Sequence, residues 1–149
     1  MTDIAPRLSE HIVNIPLLFN TFSQEKLLHR PAPGKWSKKE ILGHLIDSAI
    51  NNLKRFTEIQ GQEGIYVLRP YPQDLLVAAN HYQESSLPHL LQLWQSLNRQ
   101  IVFVIENIPP TALDYLVDIN PQKQDLRTLE WLIKDYVVHM EHHLSQIVK

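Results

Sequence analysis

The 149-residue chain contains no cysteine, which removes disulfides, thiolate metal ligands, iron–sulfur clusters and a cysteine nucleophile from its chemistry. It also lacks an excess of either charge: 14 basic and 16 acidic side chains give a formal net charge of -2, with no long block of one sign. No phosphate-tracking surface follows, so nucleic acid is not an expected partner. No run approaches the roughly 20 apolar residues of a membrane-spanning helix, and the opening MTDIAPRLSE has neither the basic nor the apolar region of a signal peptide. The expectation is a soluble, cytoplasmic protein without a membrane partner, and the length suits one domain over residues 1–149. What the chain does have is histidine, eight in all, so their placement becomes the question.

Helical periodicity dominates and no strand-like alternation competes with it over a comparable length, so the fold class is all-α. The spacing predicts a first helix from near Pro6 to about Leu28, with Leu8, Ile12, Ile15, Leu18, Phe19 and Phe22 on its apolar stripe and Pro16 kinking or interrupting it. Ser37 and Glu40 form a capping-box pattern, which starts a second helix that runs to about Gln60. Residues 61–85 are too long for a passive turn and are expected to form a short helix covering a site. A third helix follows Ser86 and stops at the prolines after Ile108, and Thr128 caps a fourth that runs to the C-terminus. Four such helices make a bundle, and the long connections at 61–85 and 108–127 allow a topology other than simple up-down.

On the fourth helix, His139 and His143 are four residues apart and can hold one metal ion from one helical face. His143 falls within the apolar arc, His139 at its edge, and His142 points nearly opposite, toward solvent or an interface. Glu141 belongs to the His142 side, and HMEHH is not HExxH, so the glutamate of a zinc protease is missing. His44 lies with Ser48, Asn51 and Arg55 on a polar stripe of the second helix. Two readings of that stripe stay open: a solvated face, or the wall of a polar cleft in which His44 is a third ligand and Asn51 and Arg55 hold an anionic or polar substrate. Asp47, one turn from His44, could orient its imidazole or accept a proton. His11, His29 and His89 read as surface residues, whereas His81 could approach a cleft.

The segments PAPGKWSKKEILGHLIDSAINNLKRF and DYVVHMEHHLSQI resemble the DinB/YfiT-like superfamily, whose members share W-S-x-x-E-x-x-x-H-L-x-D/E in the second helix and H-x-x-H-H-x-x-Q-I near the C-terminus. The resemblance implies an up-down-down-up four-helix bundle, a homodimer, and a divalent metal such as zinc or nickel on three histidines, which here correspond to His44, His139 and His143. It further implies a small-molecule substrate, with a low-molecular-weight thiol such as bacillithiol in S-transfer or isomerisation, although no thiol-binding signature stands in this chain. The function expected is therefore a metal-dependent enzyme of the thiol S-transferase type, with Asn51, Arg55 and Asp47 as substrate-binding candidates. A metal-dependent hydrolase, a non-catalytic metal-binding bundle, and a helical adaptor using the 61–85 segment are the alternatives. Ligation requires the imidazole nitrogens to converge to about 3–3.5 Å of one another.

Overall fold

A computed structural model of the chain describes residues 3–148. Four long helices form the bundle: α1 (Ile4–Phe19), α3 (Lys38–Gly61), α5 (Leu87–Asn107) and α6 (Leu129–Ile147), with short helices α2 (Gln24–Leu28) and α4 (Gln73–Ala79) in the connections. Among the described residues no helix is long and apolar enough to cross a membrane.

The helix starts follow from side chains that satisfy otherwise orphaned backbone N–H groups. Ser37 accepts from the Glu40 amide at 3.1 Å while Glu40 Oε2 accepts from the Ser37 amide at 2.8 Å, completing the expected capping box of α3. Thr128 accepts from the Trp131 amide and starts α6 where the sequence places it. The first helix differs from expectation. It begins at Ile4, and although Pro16 lies inside it, the chain leaves the helix only after Phe19; Ser23 then caps a separate α2. Pro16 cannot donate to the Ile12 carbonyl oxygen, which accepts from Gln95 Nε2 at 2.9 Å instead, so the helix passes the proline and the break falls where Thr21 and Ser23 compete for backbone groups.

Contacts fix the helix directions. Ser37 and Lys39 at the start of α3 bond to Gln83 just before α5, so these two helices run the same way. His44 meets His139 and His143, while Phe56, further along α3, meets Tyr136, earlier on α6; these helices are antiparallel. Lys38 sits over the Phe22 ring just beyond the end of α1, which places the close of α1 beside the start of α3. The bundle is thus up-down-down-up, with α5 and α6 each packed against both α1 and α3. Leu8, Phe19, Leu42, Ile46, Trp94, Ile101, Leu129 and Ile133 are fully buried at its centre, each apolar side chain contributing on the order of 1.5–3 kcal/mol.

Strands were not expected, yet the two long connections meet in a small sheet. β1 (Tyr66–Val67) pairs in parallel with β2 (Leu116–Asn120), which pairs antiparallel with β3 (Asp125–Thr128). Elements of two, five and four residues are too short for alternation to register as a period, although Leu116 is exposed and Val117 buried as a half-covered strand requires. One glycine also has a packing cause: a Cβ on Gly43 would fall 2.1 Å from the Tyr82 ring. Its absence lets the 80–83 loop lie against α3, where Asn80 and Tyr82 donate to Asp47 Oδ1 at 2.9 and 2.7 Å.

Candidate metal centre

Side by side, α3 and α6 bring three imidazoles together. His139 Nε2 lies 3.3 Å from His44 Nε2 and 3.2 Å from His143 Nε2, and the three ligand atoms all fall within 4.8 Å of one another. Antiparallel packing explains the meeting: one turn of α6 offers the i,i+4 pair, and the facing turn of α3 offers His44. Trp36, the residue before the α3 cap, roofs the cluster with its ring 4.8 Å from that of His44 and 6.3 Å from that of His143.

Electrostatics keep these rings neutral. His44 is fully buried, and burial pushes its imidazole down to about 3, with His143 and His139 adding to the effect. Burial, then His143 and His142, bring His139 down to about 4; burial also lowers His143. Neutral imidazole is the ligand form. His143 Nδ1 donates to Gln146 Oε1 at 3.0 Å, which leaves the His143 Nε2 lone pair directed into the cluster, and Gln146 Nε2 in turn donates to His142 Nε2 at 3.1 Å. His142 itself is exposed, as its helical phase requires.

The residues fit a divalent ion. Tetrahedral ligands at about 2.0–2.1 Å from a metal are about 3.3 Å apart, the spacing of the two pairs that include His139, with all three atoms within 4.8 Å. Two nitrogens this close would repel through their lone pairs unless a proton or a cation lay between them.

Two cavities reach the cluster from different sides. One, of about 270 Å³, ends on His139 and is lined by Ser48, Asn52 and Arg55 of α3, by Tyr71 before α4, and by Trp131 and Asp135 of α6. The other is a wide groove of about 1190 Å³ that touches His143, Gln146 and Trp36 and carries Lys26, Lys35 and Lys38. The sheet serves the first cavity, since Leu68 beyond β1 and Ile119 on β2 close its wall.

Of the substrate-binding candidates read from the sequence, Arg55 lies in the His139 cavity, and Asn51 and Asp47 do not line it. Asn51 turns its amide back to the Asp47 carbonyl oxygen at 2.8 Å, and the neighbouring Asn52 takes the place in the wall. Asp47 holds Asn80 and Tyr82 instead of orienting His44, whose Nδ1 is buried without a hydrogen-bond partner. Burial raises the Asp47 carboxyl above its usual range against the pull of those two donors. His81 lies on the exposed loop with φ 51°, and His11 pairs with Glu141 at 2.9 Å. Glu141 also takes Arg7, at 2.7 Å, and so faces α1 and not the cluster.

Sequence reading missed Trp36, Asn52, Tyr71, Trp131, Asp135 and Gln146. For three of them a signal existed: Trp36 and Gln146 stand in the W-S-x-x-E and H-H-x-x-Q-I motifs, and Asp135, His139 and His143 recur every four residues on α6. Asp135 is exposed on α6, and partial desolvation raises its carboxyl above its ordinary value.

The fold has its counterpart in known proteins. The DinB superfamily profile matches residues 7–147, and the chain belongs to that superfamily. Among solved structures it is similar to YfiT from Bacillus subtilis, described as a probable metal-dependent hydrolase with an unusual four-helix bundle topology. That likeness has a TM-score of 0.87 at 20% identity and covers 99% of this chain and 83% of the other. No curated protein sequence matches the chain significantly.

Proposed function

We propose that the protein is a divalent-metal-dependent enzyme of the hydrolase type, with His44, His139 and His143 as ligands and the cavity beneath His139 as the substrate chamber. The observation that carries this reading is the convergence of three neutral imidazoles, with Nε2 separations of 3.2 and 3.3 Å, one of them lining a cavity that also holds Asp135 and Arg55. The description of the structurally similar YfiT supports the hydrolase class. When bound, a divalent ion supplies Lewis acidity, which polarises an oxygen and brings a water or a thiol toward deprotonation near neutrality.

The chain's own residues supply the rest. Asp135 stands one turn before His139 and lines the same cavity, and its raised carboxyl pKa suits it to accept a proton from an attacking water. Gln146 holds the His143 ring in one tautomer and orientation. Trp36 covers His44 and limits access of bulk water from the groove side.

A thiol S-transferase is the second reading, favoured by one observation: the groove at His143 gives the cluster a second approach, lined by Lys26, Lys35 and Lys38, wide enough for a charged thiol cosubstrate. Protein prepared without a histidine tag, loaded with Zn²⁺ or Ni²⁺ and supplied with ester, amide or epoxide substrates, separates the two. Hydrolysis without added thiol, lost in Asp135→Asn, is the expected result; turnover that appears only when a thiol is added would move the assignment to transfer. Substoichiometric metal that is unchanged in His44→Ala would remove both.

A further inference from the structure

Arg55 is a half-buried cation without an anion. Among the described residues no carboxylate lies within ion-pair distance of it, and the groups that act on its charge are the phenols of Tyr71 and Tyr66. Burial lowers its pKa, the direction expected where solvation of a charge has been removed and not replaced. Its placement is nonetheless fixed. Nη2 donates to the Arg69 carbonyl oxygen at 2.7 Å, Nη1 donates to Asn52 Oδ1 at 3.4 Å, and the guanidinium lies 5.5 Å from the Tyr71 ring centroid. A guanidinium has five N–H donors, so three are left after these bonds. Arg55 lines the same cavity as His139.

Resting on the reading of this cavity as a substrate chamber, we propose that it takes a small organic carboxylate, its carboxylate group on Arg55 and its reacting end toward His139. A planar guanidinium held at one edge matches a carboxylate through two parallel N–H···O bonds, and desolvation makes that pair stronger than at a surface. Between the two ends the wall is apolar and aromatic, with Leu68, Trp131, Leu132 and Tyr136, so the middle of the ligand is apolar. A dianionic phosphate fits less well. The cavity offers one unpaired cation and also holds the Asp135 carboxyl, so a second negative charge would have no partner.

Benzoate carries the carboxylate and the apolar body, benzyl alcohol the body alone, and inorganic phosphate the anion alone. Calorimetric titration of each into metal-free and Ni²⁺-loaded protein tests the assignment, with Arg55→Gln and Arg55→Lys as variants. Benzoate is expected to bind the wild type at least about tenfold more tightly than benzyl alcohol or phosphate in both metal states. Arg55→Gln removes that preference, and Arg55→Lys, which keeps the charge and loses the fork, retains part of it. Cooperative wild-type-like melts of both variants show that the loss in Arg55→Gln reflects recognition and not unfolding. Preference for benzoate that survives in Arg55→Gln overturns the proposal, as does absence of benzoate binding or tighter binding of phosphate. The metal-free arm keeps the outcome separate from the metal reading: a chain that takes no metal still passes or fails here.

Discussion

Helix α6 presents two polar clusters less than one turn apart, and they are built on opposite principles. Around Glu141, each charge has its complement: Arg7 donates to both carboxylate oxygens at 2.9 and 2.7 Å, His11 sits at 2.9 Å, and these partners hold the carboxyl below its usual range against the burial that raises it. Around His139, three imidazoles turn their Nε2 atoms on one another with no carboxylate among the described residues bonded to any of them, and burial drives their pKa values down. A histidine beside a carboxylate is complete within the protein. Histidines that converge without one are complete only with a cation, and this contrast, more than the number of histidines, separates a structural cluster from a candidate site.

The largest effects are expected from breaking the incomplete cluster. His44→Ala or His139→Ala should lower Zn²⁺ or Ni²⁺ affinity by more than about 100-fold, because either change leaves two ligands. Wild-type protein at a metal concentration 1,000 times Kd gains about 4 kcal/mol, seen as a rise in Tm that the variants lack. His11→Ala, with an equally conspicuous histidine removed, leaves metal binding unchanged. Equal metal-induced shifts in His11→Ala and His44→Ala would erase the distinction between the clusters.

Acid should sharpen the same distinction in metal-free protein. His44 and His139 have folded values of about 3 and 4 against a reference of 6.5, so the unfolded chain binds their protons first as pH falls below 6.5. Stability therefore drops with decreasing pH through that window, by up to about 1.4 kcal/mol per pH unit for each group, until the folded values are reached. Glu141 has the same sign in a lower window: its lowered folded pKa contributes stability that is full above its reference value of 4.5 and is lost as pH falls through the folded value. Chemical denaturation of metal-free protein between pH 7 and 4.5 lies above the Glu141 window, and His139→Gln should flatten the slope. A wild-type profile that is level across this window would contradict neutral burial of the cluster.

The helix starts were legible because capping is local: Ser37 with Glu40, and Thr128, are recognised from a few residues. Helical phase was equally informative on α6, where it set His139 and His143 on the core side and His142 in solvent. It failed on α3. At about 100° per residue, His44 lies well away from the arc of Leu42, Leu45, Ile46 and Phe56, yet it is fully buried because Trp36 and α6 cover it. Only the family resemblance joined it to the pair. The same phase explains Asn52: it lies about 80° from His44, toward the apolar arc, so a cavity at the polar–apolar border selects it over Asn51, whose amide bonds back to its own helix. The sheet escaped because β1 is bonded to β2 across some fifty residues of sequence, and no window of the chain contains both.

Gln146 offers a finer cut, since it touches the cluster without belonging to it. Its Oε1 accepts from His143 Nδ1, and loss of such an orienting bond typically costs about 10- to 100-fold in metal affinity. Gln146→Ala should fall in that range, whereas His142→Ala, which removes only the outer partner of Gln146, should change affinity by less than about threefold. Competition titration with a chromophoric chelator resolves both, and a His142→Ala loss equal to that of Gln146→Ala would mean that His142 itself takes part in ligation.

The smallest change is expected where charges are already matched. The Arg7 and Glu141 side chains are 39% and 34% exposed, so their ion pair is screened by solvent, and Arg7→Ala should cost no more than about 1 kcal/mol, diminishing further as salt is raised. His11 stays at Glu141 in that variant, so the carboxylate retains one partner and no burial penalty is uncovered. Because Glu141 faces α1, removing Arg7 leaves the positions of His139 and His143 on α6 undisturbed, and metal affinity should match the wild type. Denaturation at low and high salt, run beside a metal titration of the same sample, checks both halves of the expectation. An Arg7→Ala variant that lost metal affinity in proportion to stability would show that the two clusters of α6 are energetically one.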